Sequence, residues 1–360
     1  EPHCRDLLSR PGFLGTAARD VSNRLIAPVR WGILGTANIA LKKVIPGMRR
    51  SALANVVAIA SRDLAKAQAA ADQLGIPRAY GSYEELIDDP DVEAIYNPLP
   101  NHLHVPWSIR AAEKGKHVLC EKPIALTARE AQQLLEVRDK TGVKIGEAFM
   151  VRTHPQWLKV KELVASGRIG DLRLVAGHFS YSRRDPRDIR SRVEWGGGAL
   201  MDVGCYPITI ARWLFGAEPA EVVGLIERDP DMEIDRLTSG LLRFEKGQAT
   251  FSCATQLVPY QTMQVFGTKG RIAVEIPFNA PPADECRIFV DDGSNLAGAG
   301  IETIAFPAVD QYSVQADRFS EAIRGVGSVP VSVEDAIGNM EVIDALFRSA
   351  ESRRWERPRS

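Results

Sequence analysis

The chain has 360 residues, 25% charged and 45% hydrophobic, with 45 Lys plus Arg against 46 Asp plus Glu. That is the composition of a soluble globular protein long enough for two domains, and a formal charge of -1 offers no global field for nucleic acid. No apolar run approaches the ~18 residues of a membrane span, so no membrane segment and a cytoplasmic location are expected. Cys4, Cys120, Cys205, Cys253 and Cys286 are scattered and odd in number. They read as buried small hydrophobes of a reducing compartment, with neither a disulfide frame nor a metal site.

Residues 1–29 lack the charged start and long apolar core of an export signal. They read as an N-terminal arm, either a loose tail or a segment docked on a partner. Leu7, Leu8, Phe13 and Leu14 favour partial docking, because a free tail has no use for them.

Strands and helices then alternate over residues 30–148, the pattern of a doubly wound parallel sheet. Arg30 to Leu34 is the first strand, followed by Gly35-Thr36-Ala37-Asn38-Ile39-Ala40. This occupies the place of the G-x-G-x-x-G/A dinucleotide fingerprint, with Ala37 at the second glycine position. Gly35 makes the tight turn, and the helix opening at Asn38 offers unpaired N–H groups to phosphates. The second strand, Asn55 to Ala60, ends at Ser61-Arg62-Asp63. An acidic residue at this place holds the ribose 2′-hydroxyl of NAD, whereas Ser61 and Arg62 suit the 2′-phosphate of NADP. NADP is expected, with NAD left open; Asp63 is read as the N-cap of the next helix.

A short helix spans Tyr83 to Ile87. The fourth strand, Ala94 to Asn97, runs into Pro98-Leu99-Pro100-Asn101-His102-Leu103-His104. A helix ends at Gly115, and the fifth strand stops abruptly at Glu121-Lys122-Pro123. Charge at the carboxyl end of an apolar strand is costly unless it faces a cleft, and Pro123 cannot continue the ladder. Lys122 is therefore a candidate for the mouth of a site; the competing view is a surface Lys–Glu pair before a turn. Thr127 caps a further helix, and Val143 to Glu147 is the sixth strand.

The second domain, 149–360, opens with a helix from Gln156 to Ser166 and a strand from Leu172 to Ser180. Arg183 to Arg192 holds five arginines and two aspartates. It reads as a solvated loop, or as a loop over the site that meets an anionic or polyhydroxylated substrate. Trp195 and three glycines lead into a helix carrying Asp202 and Tyr206, four residues apart and so on one face. Pro207 is expected to kink that helix. Strand follows strand from Ala220 to Ile304, with six segments distinguished, then helices at Tyr312 to Arg324 and Val333 to Arg354. The fold expected is an α/β Rossmann domain followed by an α+β domain with a mostly antiparallel open sheet.

G-x-A-x-x-A after the first strand, P-L-P-N-H-L-H after the fourth and E-K-P after the fifth together resemble the Gfo/Idh/MocA oxidoreductases, from about residue 30 to the C-terminus. G-G-G-x-L-x-D-x-G-x-Y over 196–206 resembles their catalytic helix, in the tyrosine form seen in glucose–fructose oxidoreductase, dimeric dihydrodiol dehydrogenase and deoxysugar 3-ketoreductases. The resemblance implies NADP-dependent hydride transfer at a secondary alcohol or ketone of a sugar-like substrate. It puts Gly35, Thr36, Ala37, Asn38 and Ile39 at the pyrophosphate and Ser61 and Arg62 at the 2′-phosphate. Pro98, Leu99, Asn101, His104, Glu121, Lys122, Arg152 and Trp195 follow along the nicotinamide half. Tyr206 carries the proton, Lys122 lowers its pKa and polarises the oxygen, and Asp202 orients. His104 as the base is the alternative within the site. A sugar–sugar oxidoreductase with tightly held NADP and a non-catalytic dinucleotide-binding regulator are the alternatives for the whole chain. A homodimer or homotetramer through the open face of the second sheet is expected.

Overall fold

A computed structural model of the chain describes residues 27–358, so most of the expected arm, and Cys4, lie outside the described residues. Six strands, β1 (Val29–Leu34), β2 (Ala54–Ala60), β3 (Arg78–Tyr80), β4 (Ala94–Asn97), β5 (His117–Glu121) and β6 (Ile145–Ala148), pair in parallel in the order β3-β2-β1-β4-β5-β6. β1 and β4 are apolar on both faces, as a sheet covered on both sides requires. The covering helices are α1 (Ile45–Met48), entered through a π-wound stretch at Ala40–Val44, α2 (Leu64–Leu74), α3 (Tyr83–Asp88), α4 (His104–Glu113) and α5 (Ala128–Thr141). Their starts follow local chemistry. The Asp63 carboxylate accepts from Ala65 N at 3.0 Å, Ser82 and Glu85 form a capping box, and Thr127 accepts from Glu130 N at 3.2 Å. Because strand order reverses between β1 and β4, the chain leaves a crevice at their carboxyl ends.

After α6 (Pro155–Ala165) come β7 (Leu172–Ser182) and α7 (Cys205–Phe215). The remaining strands are β8 (Glu221–Arg228), β9 (Asp235–Phe244), β10 (Gly247–Ala254), β11 (Gln256–Gly267), β12 (Arg271–Val274), β13 (Cys286–Asp291) and β14 (Ile301–Phe306). They form one sheet in the order β14-β13-β12-β11-β7-β10-β9-β8, antiparallel except for the β7–β10 pair. β14 is the strand not separated out from sequence: its side chains are mostly exposed, so it carries no inward alternation. Val223, Leu225, Leu241 and Thr250 lie together on an open face, with Leu225 77% exposed.

Two closing helices, α8 (Gln311–Ile323) and α9 (Val333–Ser352), complete the fold. The expected division at residue 149 misplaces α8. Phe319 packs on Trp31 at 5.7 Å in the core of the first sheet, and Asp317 hydrogen-bonds Leu53 N at 3.3 Å. Arg324, just past α8, holds the carbonyls of Ala27 and Pro28 and pairs with Glu93 at 2.8 Å. α8 is therefore a strap returning from the second unit to the first. Cys120, Cys205, Cys253 and Cys286 are buried and unpaired by disulfides.

Candidate active site

The sheet edge determines where the site forms. Gly35 turns at φ +82, and a Cβ there would meet Leu99 Cδ2 at 3.0 Å, so a side chain is excluded by both backbone and neighbour. The helix beginning at Asn38 follows at once. Ser61 and Arg62 sit beside this turn at the end of β2. Burial pushes the Tyr83 hydroxyl's pKa up against the pull of the adjacent Arg62 guanidinium. The glycine turn, the helix start and an exposed arginine fit a dinucleotide whose phosphates run along this edge. Asp63 is committed to capping α2, accepting from Ala65 N and Lys66 N.

Beyond the edge a cavity of about 1030 Å³ opens between the two units. Of the residues expected from sequence, Ile39, Pro98, Leu99, Asn101, His104, Glu121, Lys122, Trp195, Asp202 and Tyr206 line it. Gly35, Thr36, Ala37, Asn38, Ser61 and Arg62 lie outside its lining, at the ends of β1 and β2.

Arg152 does not line the cavity. Its buried guanidinium bonds Asp335 at 2.7 Å and lies over the Trp213 ring at 4.7 Å, binding the start of the second unit to α7 and α9. His104 reaches the lining, yet both ring nitrogens meet carbonyl oxygens, Pro123 O at 2.8 Å and Leu99 O at 2.7 Å. It braces the two loops that form the cavity floor and has no nitrogen left to act as a base. Glu121 accepts from the Tyr96 hydroxyl at 2.6 Å, and burial raises its pKa against the pull of Lys122. Asn101 donates to Gly196 O at 2.9 Å, which fixes the glycine segment against the first domain. That segment admits the protein itself rather than a ligand: a Cβ on Gly198, at φ +114, would fall on the Asp235 carboxylate.

Lys122, at the end of β5, is 13% exposed at its side chain. Its Nζ donates to Asp202 O at 2.6 Å and to Asp202 Oδ1 at 3.1 Å. The free carbonyl has a sequence cause. Leu200–Gly204 is π-wound, and a π turn pairs each carbonyl with the N–H five residues on. For Asp202 that residue is Pro207, which has no N–H, so the carbonyl turns to the lysine. Pro207 thus leaves the Asp202 carbonyl to Lys122, and α7 runs on through it. The π turn also offsets Asp202 and Tyr206, and the ammonium sits 4.9 Å from the Tyr206 ring centroid.

Burial alone would lower the pKa of Lys122, but Asp202 and, more weakly, Cys205 and Glu121 outweigh it and hold it above its ordinary value. Asp202 is itself opposed by burial and drawn well below the usual carboxylate range by Lys122 and Arg190. Its Oδ2 accepts from the Tyr181 hydroxyl at 2.6 Å and Arg190 Nε at 3.0 Å. The pair is an ammonium and a carboxylate at neutral pH.

Tyr206 is 6% exposed and packs among Phe149, Phe179 and Phe278 at 5.2, 5.6 and 5.3 Å. Its hydroxyl meets Met150 Sδ at 3.7 Å. Contrary to the sequence expectation, its pKa is raised, because burial acts on it while the lysine lies over the ring face and not at the oxygen. A phenol held protonated is a proton donor, which suits reduction of a carbonyl better than abstraction from an alcohol.

Arg183 and Arg190, from the arginine run expected to overlie the site, also line the cavity, as do Tyr181, Tyr260, Gln261, Asn279 and Tyr312, which no motif in the sequence marks. Tyr181 lies near the end of β7, directly ahead of the arginine run, and Asn279 lies in a loop with no motif. Among the described residues no cluster of three or more His, Cys, Asp or Glu could hold a metal, and no helix is long and apolar enough to cross a membrane.

Two family models match the chain between residues 29 and 273. The description "Oxidoreductase family, NAD-binding Rossmann fold" matches residues 29–149, and "GFO/IDH/MocA C-terminal domain" matches 157–273. An oxidoreductase of Rhizobium meliloti is 51% identical over 329 residues, 91% of this chain and 98% of its own length. A D-xylose 1-dehydrogenase (NADP(+)) of Haloferax volcanii is 38% identical over 325 residues, 89% and 97% of the two chains. A crystal structure of a 3-ketoreductase from Actinomadura kijaniata, in complex with NADP and TDP-benzene, superposes with a TM-score of 0.82 at 29% identity, covering 89% of this chain and 98% of that one.

Proposed function

The chain belongs to the GFO/IDH/MocA oxidoreductase family, and from that premise we propose that it transfers hydride between NADP and a secondary alcohol or ketone of a sugar, with Lys122 and Tyr206 managing the oxygen and its proton. It is a dehydrogenase or reductase acting on CH–OH groups, with an NAD(P)-binding Rossmann domain. The observation that carries the finer reading is the meeting of Lys122, from the end of β5, with Asp202 and Tyr206, from the helix of the other unit, in one cavity next to the dinucleotide edge. The NADP named for the xylose dehydrogenase and the ketoreductase supports the same cofactor here.

When bound, the nicotinamide supplies or accepts the hydride. Lys122 stays cationic, donates to the substrate oxygen and stabilises the charge that develops there. Asp202 fixes the ammonium through two of its three protons, which leaves the third for the cavity. Tyr206 delivers a proton to the oxygen in reduction and takes it back in oxidation. Purified protein with NADPH and a sugar ketone, or NADP⁺ and an aldose such as D-xylose, tests this by the change in nicotinamide absorbance. NADPH binding without turnover of any sugar would favour a regulator instead.

Two expectations follow from the same features. Arg62→Asp should weaken NADPH by about 10–100-fold relative to NADH, since it removes a charge-assisted contact worth about 1.5–3 kcal/mol. Parallel titrations of mutant and parent check it, and equal NADPH affinity would refute the assignment. The open sheet face around Leu225 and Leu241 needs cover. A homodimer or homotetramer is therefore expected by light scattering at micromolar concentration, and a monomeric mass would sink it.

A further inference from the structure

We propose that the cavity takes a neutral, polyhydroxylated sugar and disfavours one bearing a phosphate or a nucleotide diphosphate; this rests on the hydride-transfer function above. Lys122, Arg183 and Arg190 line the cavity, and each is already matched. Lys122 and Arg190 share Asp202. Arg183 Nε pairs with Asp188 Oδ2 at 2.6 Å, and Arg190 Nη1 reaches Asp188 Oδ1 at 3.4 Å. The Asp188 side chain is only 6% exposed. Drawing either arginine onto a phosphate would cost the nearly buried Asp188 carboxylate one of its two counter-charges, and drawing Arg190 away would cost Asp202 one as well. The other arginines of this loop are engaged elsewhere: Arg184 with Asp229 and Asp231, Arg187 with Asp185, and Arg192 with Glu194. The arginine run, which from sequence suits an anionic substrate, is neutralised by its own surroundings.

The same cavity offers neutral hydrogen-bonding groups on a rigid wall. The loop 276–279 is clamped by five bonds. Gln261 Oε1 accepts from Phe278 N and Asn279 N at 2.9 and 3.0 Å. Gln156, Trp157 and Gln311 donate to Ile276 O, Pro277 O and Phe278 O at 2.9, 2.7 and 3.2 Å. Asn279 is thereby presented to the cavity from a fixed backbone, with an amide that both donates and accepts, as adjacent hydroxyls require. Gln261 has spent its oxygen on the loop and keeps its amide donor. Tyr181 gives its proton to Asp202, so its oxygen is left to accept.

The test is equilibrium binding to the NADPH complex of the full chain, with D-xylose and D-glucose as neutral probes and D-glucose 6-phosphate and dTDP-glucose as charged ones. Neutral sugars should bind tighter by at least about 10-fold, and Asn279→Ala should weaken them about 10-fold with NADPH affinity unchanged. Asp188→Asn, which releases Arg183 and leaves Arg190 to Asp202 alone, should narrow the gap between the classes. Tighter binding of either charged probe, binding of neither class, or indifference to Asn279→Ala would overturn the proposal. Neutral sugars that bind but are never oxidised or reduced would leave it standing while removing the hydride-transfer reading.

Discussion

Tyr206→Phe is expected to lower turnover by about 10²–10⁴-fold, the usual worth of a positioned proton donor, and Lys122→Ala by a comparable factor. The two should not multiply. The ammonium lies 4.9 Å from the tyrosine ring centroid and is anchored by Asp202; in the mechanism proposed above both groups address one substrate oxygen, so losing either should disable the pair. NADPH affinity should barely change in Tyr206→Phe, because the hydroxyl meets only Met150 Sδ and the ring keeps its three phenylalanine neighbours. Lys122→Ala carries a second consequence. It leaves Asp202 with Arg190 and Tyr181 but reduces the partners of the Asp202 carbonyl to the weak Cys205 thiol donor at 3.6 Å, so some stability is lost as well. Lys122→Met, which keeps the stem, separates the two effects. Single-turnover rates measured at saturating cofactor decide the matter. A Tyr206→Phe enzyme with full activity would remove the tyrosine from the mechanism and leave Tyr181, bonded to Asp202 and lining the same cavity, as the proton carrier.

How far the sequence spoke depends on whether a feature is local. The βα alternation, the Asp63 and Thr127 caps and the Gly35 turn are set by neighbours a few residues apart, and each was legible. Lys122 was legible because a charge after an apolar strand needs a cleft. Arg152 misled for the converse reason. It follows β6 at the domain boundary, where a cofactor ligand fits, but its partner Asp335 is 183 residues away and nothing near it announces the pairing. The return of α8 to the first sheet has the same character: an amphipathic helix states that it has an apolar face, not which core receives it. Asn279 and Gln261 were silent because their role comes from a loop clamped by α6, α8 and β11, three elements remote from it in the chain. The π turn shows a middle case. Pro207 signalled an irregular helix, but the sign of its effect, a carbonyl handed to Lys122, needed the lysine's position.

The largest effect of pH on stability is expected at Glu147, on β6 directly behind the Lys122 loop. The residue is 3% exposed; its Oε1 accepts from Ile124 N at 2.8 Å and its Oε2 has no partner. Burial, with a smaller push from Asp335, raises its pKa to about 8 against the pull of Ile124 N–H, Arg212 and Arg152; Cys120 and Cys205 are its other titratable neighbours. The folded chain therefore keeps a proton that the unfolded chain releases near 4.5. The stability this proton confers is complete below about pH 4.5, falls as the pH climbs, and is gone above about pH 8, a total on the order of 4–5 kcal/mol at 1.36 kcal/mol per pH unit. Glu147→Gln keeps the shape and the acceptor for Ile124 but cannot ionise. Relative to the parent, the variant should gain stability steadily from about pH 5 to about pH 8, read as diverging urea midpoints. The competing outcome has a structural origin: Arg152 Nε is also buried without a partner, and a small rotation that paired it with Oε2 would keep Glu147 ionised throughout. In that case the two midpoint curves run parallel, and Glu147→Gln is the less stable protein at every pH, because it removes one member of a buried charge cluster with Arg152, Arg212 and Asp335.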